Sequence, residues 1–233
     1  MNRADDLSAA LTRVRDRLTR ACEQAGRVPA DVTLLPVTKF FPASDVEILY
    51  GLGCRAFGES REQEASAKVA ALQHLPDIEW HMVGRLQRNK ARPVARWAYA
   101  VHSVDNARLV DALEHAAEQE REDPLRVFVQ VSLDDDPTRG GVRSVDLPAL
   151  ADRVAQAQHL HLAGLMAIPP LGADATVSFA RLTELHAAVV AAHPSATGLS
   201  AGMSGDLEIA VEHGSTCVRV GTALMGARPI TSP

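Results

Sequence analysis

Three lysines stand out in a chain that otherwise uses arginine for its positive charges. They are Lys39, Lys68 and Lys90, out of 24 basic residues in total. An amine can form a Schiff base with a carbonyl group and a guanidinium cannot, so each lysine is a candidate for amine chemistry. Lys39 is the strongest candidate because it ends an apolar, strand-like run, on the same side as Leu35 and Val37. Desolvation there would favour nucleophilic attack on a carbonyl group, whereas a solvated surface charge is the ordinary alternative.

Two loops near the C-terminus combine glycines with hydroxyl side chains. The first lies in 199–206 (LSAGMSGD) and the second in 218–223 (VRVGTA). Glycines let backbone N–H groups approach a ligand closely and hydroxyl groups donate hydrogen bonds, so the two loops together indicate a phosphate site. Arg219 falls within the last strand candidate, where a buried guanidinium needs an anion or another acceptor. A structural salt bridge is the alternative for this arginine.

The period of the apolar residues predicts helices and strands in alternation. An amphipathic helix over about 4–25 comes first. Strands are predicted at 32–39, 55–57, 79–83, 99–104, 126–133, 160–168, 198–201 and 216–220, with helical patterns between them. Eight strands separated by helices pair in parallel, and this length fits one (β/α)8 TIM barrel of the α/β class with an extra N-terminal helix. We expect a single domain over 1–233, with a doubly wound open sheet as the rival fold.

Pro36 conflicts with a closed barrel. It lies inside the first predicted strand, and a proline has no backbone N–H to give to the ladder. A closed barrel has no free edge on which that missing donor would be harmless. The sequence therefore predicts a β-bulge at this position.

The composition excludes several classes of protein. With 233 residues, 46% of them apolar, and a formal charge of −5, the chain is typical of globular proteins and lacks the basic excess of nucleic-acid binders. No apolar run reaches the roughly 18 to 20 residues that span a bilayer and the N-terminus lacks a signal-peptide pattern, so we expect a cytoplasmic protein without membrane contact. The three cysteines form no CxxC pair, and His159 and His161 have no third ligand nearby, so no metal site is predicted.

The chemistry of a parallel barrel takes place at the carboxyl ends of its strands and in the loops that follow them. Lys39 and both glycine-rich loops occupy such places. A Schiff-base lysine, a phosphate cradle and an arginine fit pyridoxal 5′-phosphate (PLP), whose aldehyde, phosphate and ring nitrogen need these three partners. A phosphorylated sugar aldehyde on an aldolase lysine fits as well. The residues alone leave these two alternatives open.

Five segments of the chain resemble, in order, segments of one known protein family. The longest is Trp80–Lys90 (WHMVGRLQRNK), which resembles the pattern WHxxGxLQxNK. The others are Val37–Lys39, Phe57–Glu59, Gly164–Pro169 and Leu199–Arg228. The family is that of the pyridoxal phosphate homeostasis proteins, and the resemblance covers essentially the whole chain.

The resemblance implies a barrel similar to the N-terminal domain of alanine racemase, with PLP held as a Schiff base on Lys39. It implies phosphate contacts from Ser204, Gly221 and Thr222, and a contact from Arg219 to the ring nitrogen. It also implies storage and delivery of the cofactor rather than turnover. We expect a monomer whose partners are PLP and PLP-dependent apo-enzymes. The predicted cofactor-binding set is Lys39, Ser60, His81, Ser200, Met203, Ser204, Arg219, Gly221 and Thr222, and no catalytic residue is assigned.

Two departures from the family pattern are visible. Ser60 stands where the family usually has asparagine, and a serine can replace one hydrogen bond of that amide but does not reach as far. Ala201 stands where the family usually has methionine, and we expect this change to affect packing only.

A stand-alone PLP-dependent amino-acid racemase is the second interpretation of the chain, and a class I Schiff-base aldolase is the third.

Overall fold

The computed structural model describes residues 2–136 and 140–227, so Arg228, at the end of the last family segment, lies outside the described residues. The strands are β1 Thr33–Pro36, β2 Ala56–Glu59, β3 Glu79–Met82, β4 Ala98–Val104, β5 Leu125–Gln130, β6 Leu160–Met166, β7 Gly198–Ser200 and β8 Cys217–Val220. The helices are α1 Arg3–Gln24, α2 Ala43–Gly51, α3 Glu62–Ala71, α4 Ala91–Trp97, α5 Ala107–Glu120, α6 Leu147–Gln156, α7 Ala175–Ala192, α8 Leu207–Glu212 and α9 Thr222–Met225. Short 3-10 turns occupy Pro29–Asp31 and Arg88–Lys90.

Every predicted strand is present, but several end earlier than the apolar pattern indicates. β1 ends at Pro36 and β5 at Gln130, although the apolar runs continue beyond both residues. The residues that follow, such as Val37 and Val131, are buried in the loops that cover the end of the barrel. Burial by a loop therefore extends the apolar pattern past the last ladder hydrogen bond.

All eight strands are parallel and follow one another around the sheet in the order β1-β8-β7-β6-β5-β4-β3-β2. The ring closes between β1 and β2 through a bridge between Val37 and Gly58, where Thr38 N donates to Gly58 O at 2.9 Å. An open doubly wound sheet would leave its two edge strands apart. The structure thus confirms the predicted α/β barrel with its extra N-terminal helix.

Pro36 is accommodated without the predicted bulge, because β1 pairs with β8 in an unbroken register that includes Pro36 opposite Val220. Backbone N–H groups point alternately to the two sides of a strand. Val37 N donates to β8 and Thr38 N donates to β2 at Gly58, so the nitrogen of Pro36 also faces β2. It does so below the single bridge that joins β1 to β2, where no ladder bond is lost. The bulge prediction was wrong because the missing donor faces β2, and β1 and β2 are joined by few backbone hydrogen bonds.

Helix α1 packs on the outside of the ring and belongs to the core. It begins with a capping box, in which the side chains of Asn2 and Asp5 each bond the other residue's backbone N–H. Its buried face lies against α2, α8 and α9 and consists of Leu7, Ala10, Leu11, Val14, Leu18, Ala21 and Cys22. These side chains form one apolar cluster with Phe57 of β2 and Val218 of β8. The added helix therefore supports the strands on both sides of β1.

Truncation of one buried side chain of α1 tests whether the added helix shares the cooperative core. Leu11 is 2% exposed and its neighbour Thr12 is exposed. Leu11→Ala is expected to lower the free energy of unfolding by about 2 to 5 kcal/mol, because it removes buried methyl groups and leaves a cavity. Thr12→Ala should change it by less than about 0.5 kcal/mol. Urea titrations of both variants make the comparison, and equally small effects would show that α1 folds apart from the barrel.

Candidate functional site

A cavity of about 490 Å³ opens at the carboxyl ends of the strands. Its wall is made by the loops that follow the strands and by the last residues of the strands themselves. The lining residues are Val37, Lys39, Phe40, Phe41, Ser60, Val83, Gly84, Arg85, Gln130, Gly140, Ile168, Met203, Ser204, Gly205, Arg219, Gly221, Thr222 and Gly226. Seven of the nine predicted cofactor-binding residues are among them, and His81 and Ser200 are not.

Lys39 enters the cavity beside the apolar side chain of Val37. Leu35, two residues further back, is fully buried, so the three residues share the inner side of β1 as the alternation predicts. The chain turns sharply at Phe40, whose φ of 70° lies in the left-handed region that disfavours residues with a Cβ. Strained backbone of this kind occurs often at functional sites, and here it turns the chain immediately after the lysine, which lies three residues beyond the end of β1.

A buried ion pair lies beneath this turn. Lys68 Nζ donates to Glu59 Oε1 at 2.6 Å and to Thr38 O at 2.7 Å, and Thr38 Oγ1 donates to the same carboxylate oxygen at 2.6 Å. Burial raises the pKa of Glu59, and Lys68 and Thr38 act in the opposite direction. The ion pair connects β2, α3 and the end of β1, so it fixes the backbone of the residue that precedes Lys39.

The other two lysines have structural partners. Lys68 is buried in the ion pair with Glu59, and Lys90 Nζ lies 3.0 Å from Glu62 Oε2 at the start of α3. Neither lines the cavity. The scarcity of lysine is therefore informative for Lys39 alone, because an ion pair explains each of the other two amines.

The two glycine-rich loops meet at one side of the cavity. Ser204 Oγ accepts a hydrogen bond from Ala223 N at 3.2 Å, which joins the loop after β7 to the loop after β8. The hydroxyl hydrogen of Ser204 is then available to a ligand. Gly205 and Gly221 lie beside it and Thr222 follows, so the cavity has two hydroxyl groups close to exposed backbone.

Gly221 shows that this part of the cavity is kept open. Its φ of −101° is in the ordinary range of non-glycine residues, and a Cβ placed there would have Val37 O, at 3.8 Å, as its nearest neighbour. Neither backbone strain nor contact with the protein therefore requires a glycine. A Cβ at Gly205 would have no atom within 4 Å. Side chains at both positions would occupy space in the cavity, which fits a cradle for a ligand group.

Arg17 of α1 holds the first of these loops from outside. Its Nη2 donates to Ser204 O at 3.2 Å, and its Nε donates to Glu208 Oε1 of α8 at 2.8 Å. The added helix thus fixes the backbone of a cavity residue. Sequence analysis missed this role, because the arginines of α1 look alike and nothing in the pattern distinguishes Arg17 among them.

Arg219 brings a positive charge to the wall of the cavity from within the barrel. It is 5% exposed, and its Nη1 and Nη2 donate to Ser200 Oγ at 2.6 Å and Ala167 O at 2.9 Å. Burial lowers the pKa of Arg219, and Cys217 and Asp206 partly oppose this effect. Within 2–136 and 140–227 the guanidinium has no carboxylate within salt-bridge distance, so the structure gives no support there to the alternative of a structural salt bridge. Such a cation is stabilised by an acceptor that enters from the cavity.

His81 and Ser200 are not among the residues that line the cavity, and their contact with the cofactor stays a prediction. Ser200 is fully buried and accepts the hydrogen bond of Arg219. His81 Nδ1 is 2.9 Å from Nε2 of His102, and His102 Nδ1 is 2.8 Å from Ser200 Oγ. Sequence analysis missed His102. The available signal was an imidazole ring in the middle of the mostly apolar strand β4, where every second residue faces the lumen.

The longest family segment, Trp80–Lys90, has a structural explanation. A Cβ at Gly84 would lie 2.2 Å from Ser60 O, so only glycine lets the loops after β2 and β3 touch. Ser103 Oγ donates to Gly84 O at 2.7 Å and fixes the contact from β4. Trp80 and Leu86 are buried in the core. The segment shapes one wall of the cavity and places Ser60 on it.

These groups fit PLP as a set. One amine, two hydroxyl groups beside an open glycine cradle, and a buried guanidinium that needs an acceptor surround one cavity. They correspond to the aldehyde, the phosphate and the ring nitrogen of the cofactor. In the described part of the chain, no three His, Cys, Asp or Glu side chains are grouped so as to hold a metal ion.

Comparison with known proteins gives matches along the whole chain. Residues 11–229 match the family described as alanine racemase, N-terminal domain. The pyridoxal phosphate homeostasis protein of Mycobacterium tuberculosis is 55% identical over 250 residues, which cover 100% of this chain and 96% of that protein. The protein of the same name from Escherichia coli is 37% identical and covers 96% of this chain, with 97% of its own length matched.

Solved structures agree with the sequence matches. PipY of Synechococcus elongatus, solved with PLP bound, superposes with a TM-score of 0.83 at 36% identity, over 94% of this chain and 100% of that one. Alanine racemase from Streptomyces coelicolor superposes with a TM-score of 0.77 at 20% identity, over 97% of this chain and 59% of the racemase, and shares the fold. By its sequence and its barrel, the chain belongs to the pyridoxal phosphate homeostasis protein family, within the alanine racemase N-terminal domain group.

Proposed function

We propose that this protein binds PLP covalently through Lys39 and stores and delivers it, as a carrier in PLP homeostasis. The observation that carries the proposal is the convergence of Lys39, the Ser204 and Thr222 loops and the buried Arg219 on one cavity. The relatives named as pyridoxal phosphate homeostasis proteins and the PLP-bound structure of PipY support it.

Each group has a defined task in this proposal. When bound, PLP supplies an aldehyde that condenses with an amine and a ring that accepts electrons. Lys39 supplies the amine from a partly apolar wall. Ser204 and Thr222 would donate hydrogen bonds to the phosphate beside Gly221, and Arg219 would donate to the ring nitrogen. Met203 and Ser60 line the walls between these points.

The wall of the cavity favours a carrier over a racemase. Among the described lining residues, Lys39 is the one side chain that can serve as an acid-base group, since arginine holds its proton. Racemisation needs an acid-base group on each face of the substrate. The two tyrosines lie elsewhere, Tyr50 on α2 and Tyr99 on β4 against Arg126. An arginine at the ring nitrogen also disfavours the protonated ring, which is the stronger electron sink.

The cellular setting of this function stays a prediction. Sequence analysis predicts a cytoplasmic monomer that serves PLP-dependent apo-enzymes. Over the described ranges, the structure has no helix with the length and apolarity needed to cross a membrane.

Replacement of Lys39 tests the covalent anchor. Lys39→Ala should purify without the absorption band of lysine-bound PLP, because no other amine lines the described cavity. Lys90→Arg is the matched control, since an arginine can keep the ion pair with Glu62, and it should retain the band. The absorption spectrum, followed by borohydride reduction and peptide mapping, decides the matter. A normal band in Lys39→Ala, or reduction at Lys68, would contradict the assignment.

Two hydroxyl deletions test the phosphate cradle. Ser204→Ala and Thr222→Ala should each weaken PLP binding by roughly 10- to 100-fold, because a hydrogen bond to a charged group contributes about 1.5 to 3 kcal/mol. Pyridoxal, which has no phosphate, should bind both variants and the unmodified protein alike. Fluorescence titration with the two ligands makes the comparison. Equal losses for PLP and pyridoxal would place the phosphate elsewhere.

Hydrogen exchange at Cα separates carrier from racemase. The PLP-loaded protein in heavy water should incorporate deuterium into L- or D-alanine only at the slow rate of free PLP, because the described cavity lacks a second acid-base group. Proton NMR of the alanine follows the exchange. Exchange with inversion at enzyme-like turnover, lost in Lys39→Ala, would establish the racemase instead.

A further inference from the structure

A line of buried polar side chains crosses the barrel core beneath the cavity. Arg219 Nη1 donates to Ser200 Oγ at 2.6 Å, and the same oxygen is 2.8 Å from Nδ1 of His102. His102 Nε2 is 2.9 Å from Nδ1 of His81. All four side chains are buried. The line leads from β8 through β7 and across the lumen to β4 and β3, so it joins opposite sides of the barrel.

The line ends near a carboxylate at the amino end of β3. His81 Nε2 is buried and has no hydrogen-bond partner among residues 2–136 and 140–227. Oε2 of the half-exposed Glu79 lies 4.0 Å from it, a distance too long for a hydrogen bond and short enough for electrostatic attraction. The interaction with His81 lowers the pKa of Glu79. A cation thus stands at one end of the line and an anion stands near the other.

His102 is neutral in this environment and carries one ring hydrogen. Burial lowers its pKa well below the usual range, and the neighbouring His81 and Arg219 act in the same direction. Its ring nitrogens each have a partner, Ser200 on one side and His81 on the other. One nitrogen must therefore accept and the other must donate, and the choice decides the direction of every bond in the line.

Electrostatics favours one of the two directions. Arg219 can only donate, so Ser200 Oγ accepts from it and can pass its own hydrogen to Nδ1 of His102. Nε2–H of His102 then donates to Nδ1 of His81, and Nε2–H of His81 points toward Glu79. In the reverse direction Nδ1–H of His102 would donate to Ser200, and Ser200 would have to turn its hydrogen to a weak acceptor, the sulfur of Cys217 beside it.

We propose that His102 is a positioning residue for the cofactor: its Nε2–H tautomer accepts the Ser200 hydroxyl hydrogen at Nδ1, which turns the lone pairs of Ser200 Oγ to Arg219 and fixes the guanidinium toward the PLP ring nitrogen. This inference rests on the proposed PLP-binding function. This line of hydrogen bonds, here called the relay, holds Arg219 through the side chains of Ser200 and His102 instead of a carboxylate. The charge of Arg219 therefore stays directed to the cavity. The alternative is a filler role, since the His102 ring also stacks on Phe128 with centroids 4.3 Å apart.

Nitrogen NMR of the unmodified protein tests the direction of the relay. With ¹⁵N-labelled histidine, His102 should show a protonated Nε2 and a bare Nδ1, before and after PLP is added. A proton on Nδ1, or on both nitrogens at neutral pH, would overturn the proposal. This measurement needs neither a folded variant nor bound cofactor, so it still decides the direction if the protein fails to bind PLP and the proposed function is wrong.

Two substitutions of His102 test its effect on the cofactor. Asparagine can place an acceptor near Nδ1 and keep the bond to Ser200, whereas glutamine reaches the Nε2 side and loses it. PLP should bind His102→Asn within about threefold of the unmodified protein and His102→Gln roughly 10- to 100-fold more weakly. The absorption maximum of bound PLP should shift in His102→Gln only. His186→Gln is the matched control, because His186 lies on α7 and bonds Ala196 O outside the relay.

The outcomes separate a positioning role of His102 from a role in packing alone. Equal PLP affinity and equal spectra in the two His102 variants would overturn the proposal, whatever their melting temperatures. Should either variant fail to fold, Ser200→Ala removes the acceptor by the loss of one oxygen atom. It should show the same 10- to 100-fold weaker binding and the same spectral shift, because a charge-assisted hydrogen bond is lost. Unchanged binding in Ser200→Ala would also overturn the proposal.

Discussion

Arg219 carries a positive charge inside the barrel, where removal of an unpaired ion from water costs several kcal/mol. The protein offsets this cost with neutral acceptors, Ser200 Oγ and Ala167 O, and leaves the remaining donors on the side of the cavity. A carboxylate at this place would have paired with the guanidinium in the empty protein and competed with a ligand for it. The arrangement instead reserves the strongest stabilisation of the guanidinium for an acceptor that enters the cavity, which is the condition for tight and reversible cofactor binding.

The closed barrel makes this arrangement workable. β1 lies between β2 and β8, so Lys39 follows a strand that neighbours both the Arg219 strand and the Glu59 strand. The Glu59 and Lys68 ion pair holds the turn before Lys39 from one side. Arg17 holds the Ser204 loop from the other, through the added helix. Positioning interactions outside the cavity thus determine where the lining side chains meet.

Much of this could be predicted from the sequence, because alternation and helical period are local. The eight strands, the helix α1, the cavity residues Lys39 and Arg219 and the two glycine-rich loops all follow from local patterns. The buried partners do not. His102 contacts Ser200 across the lumen and Lys68 reaches Thr38 from another element, and such contacts depend on the register of strands that are far apart in sequence. Pro36 shows the same limit, since the direction of its missing donor depends on which neighbour pairs at that level.

The state of the PLP ring nitrogen tests the central claim most directly, because the whole account rests on Arg219 as its partner. The protein loaded with PLP labelled with ¹⁵N in the ring should give a nitrogen signal typical of an unprotonated pyridine throughout the neutral pH range. A guanidinium that always donates leaves the ring nitrogen as the acceptor. A signal typical of a protonated pyridinium would contradict the account, since it would place the Arg219 guanidinium away from the ring nitrogen.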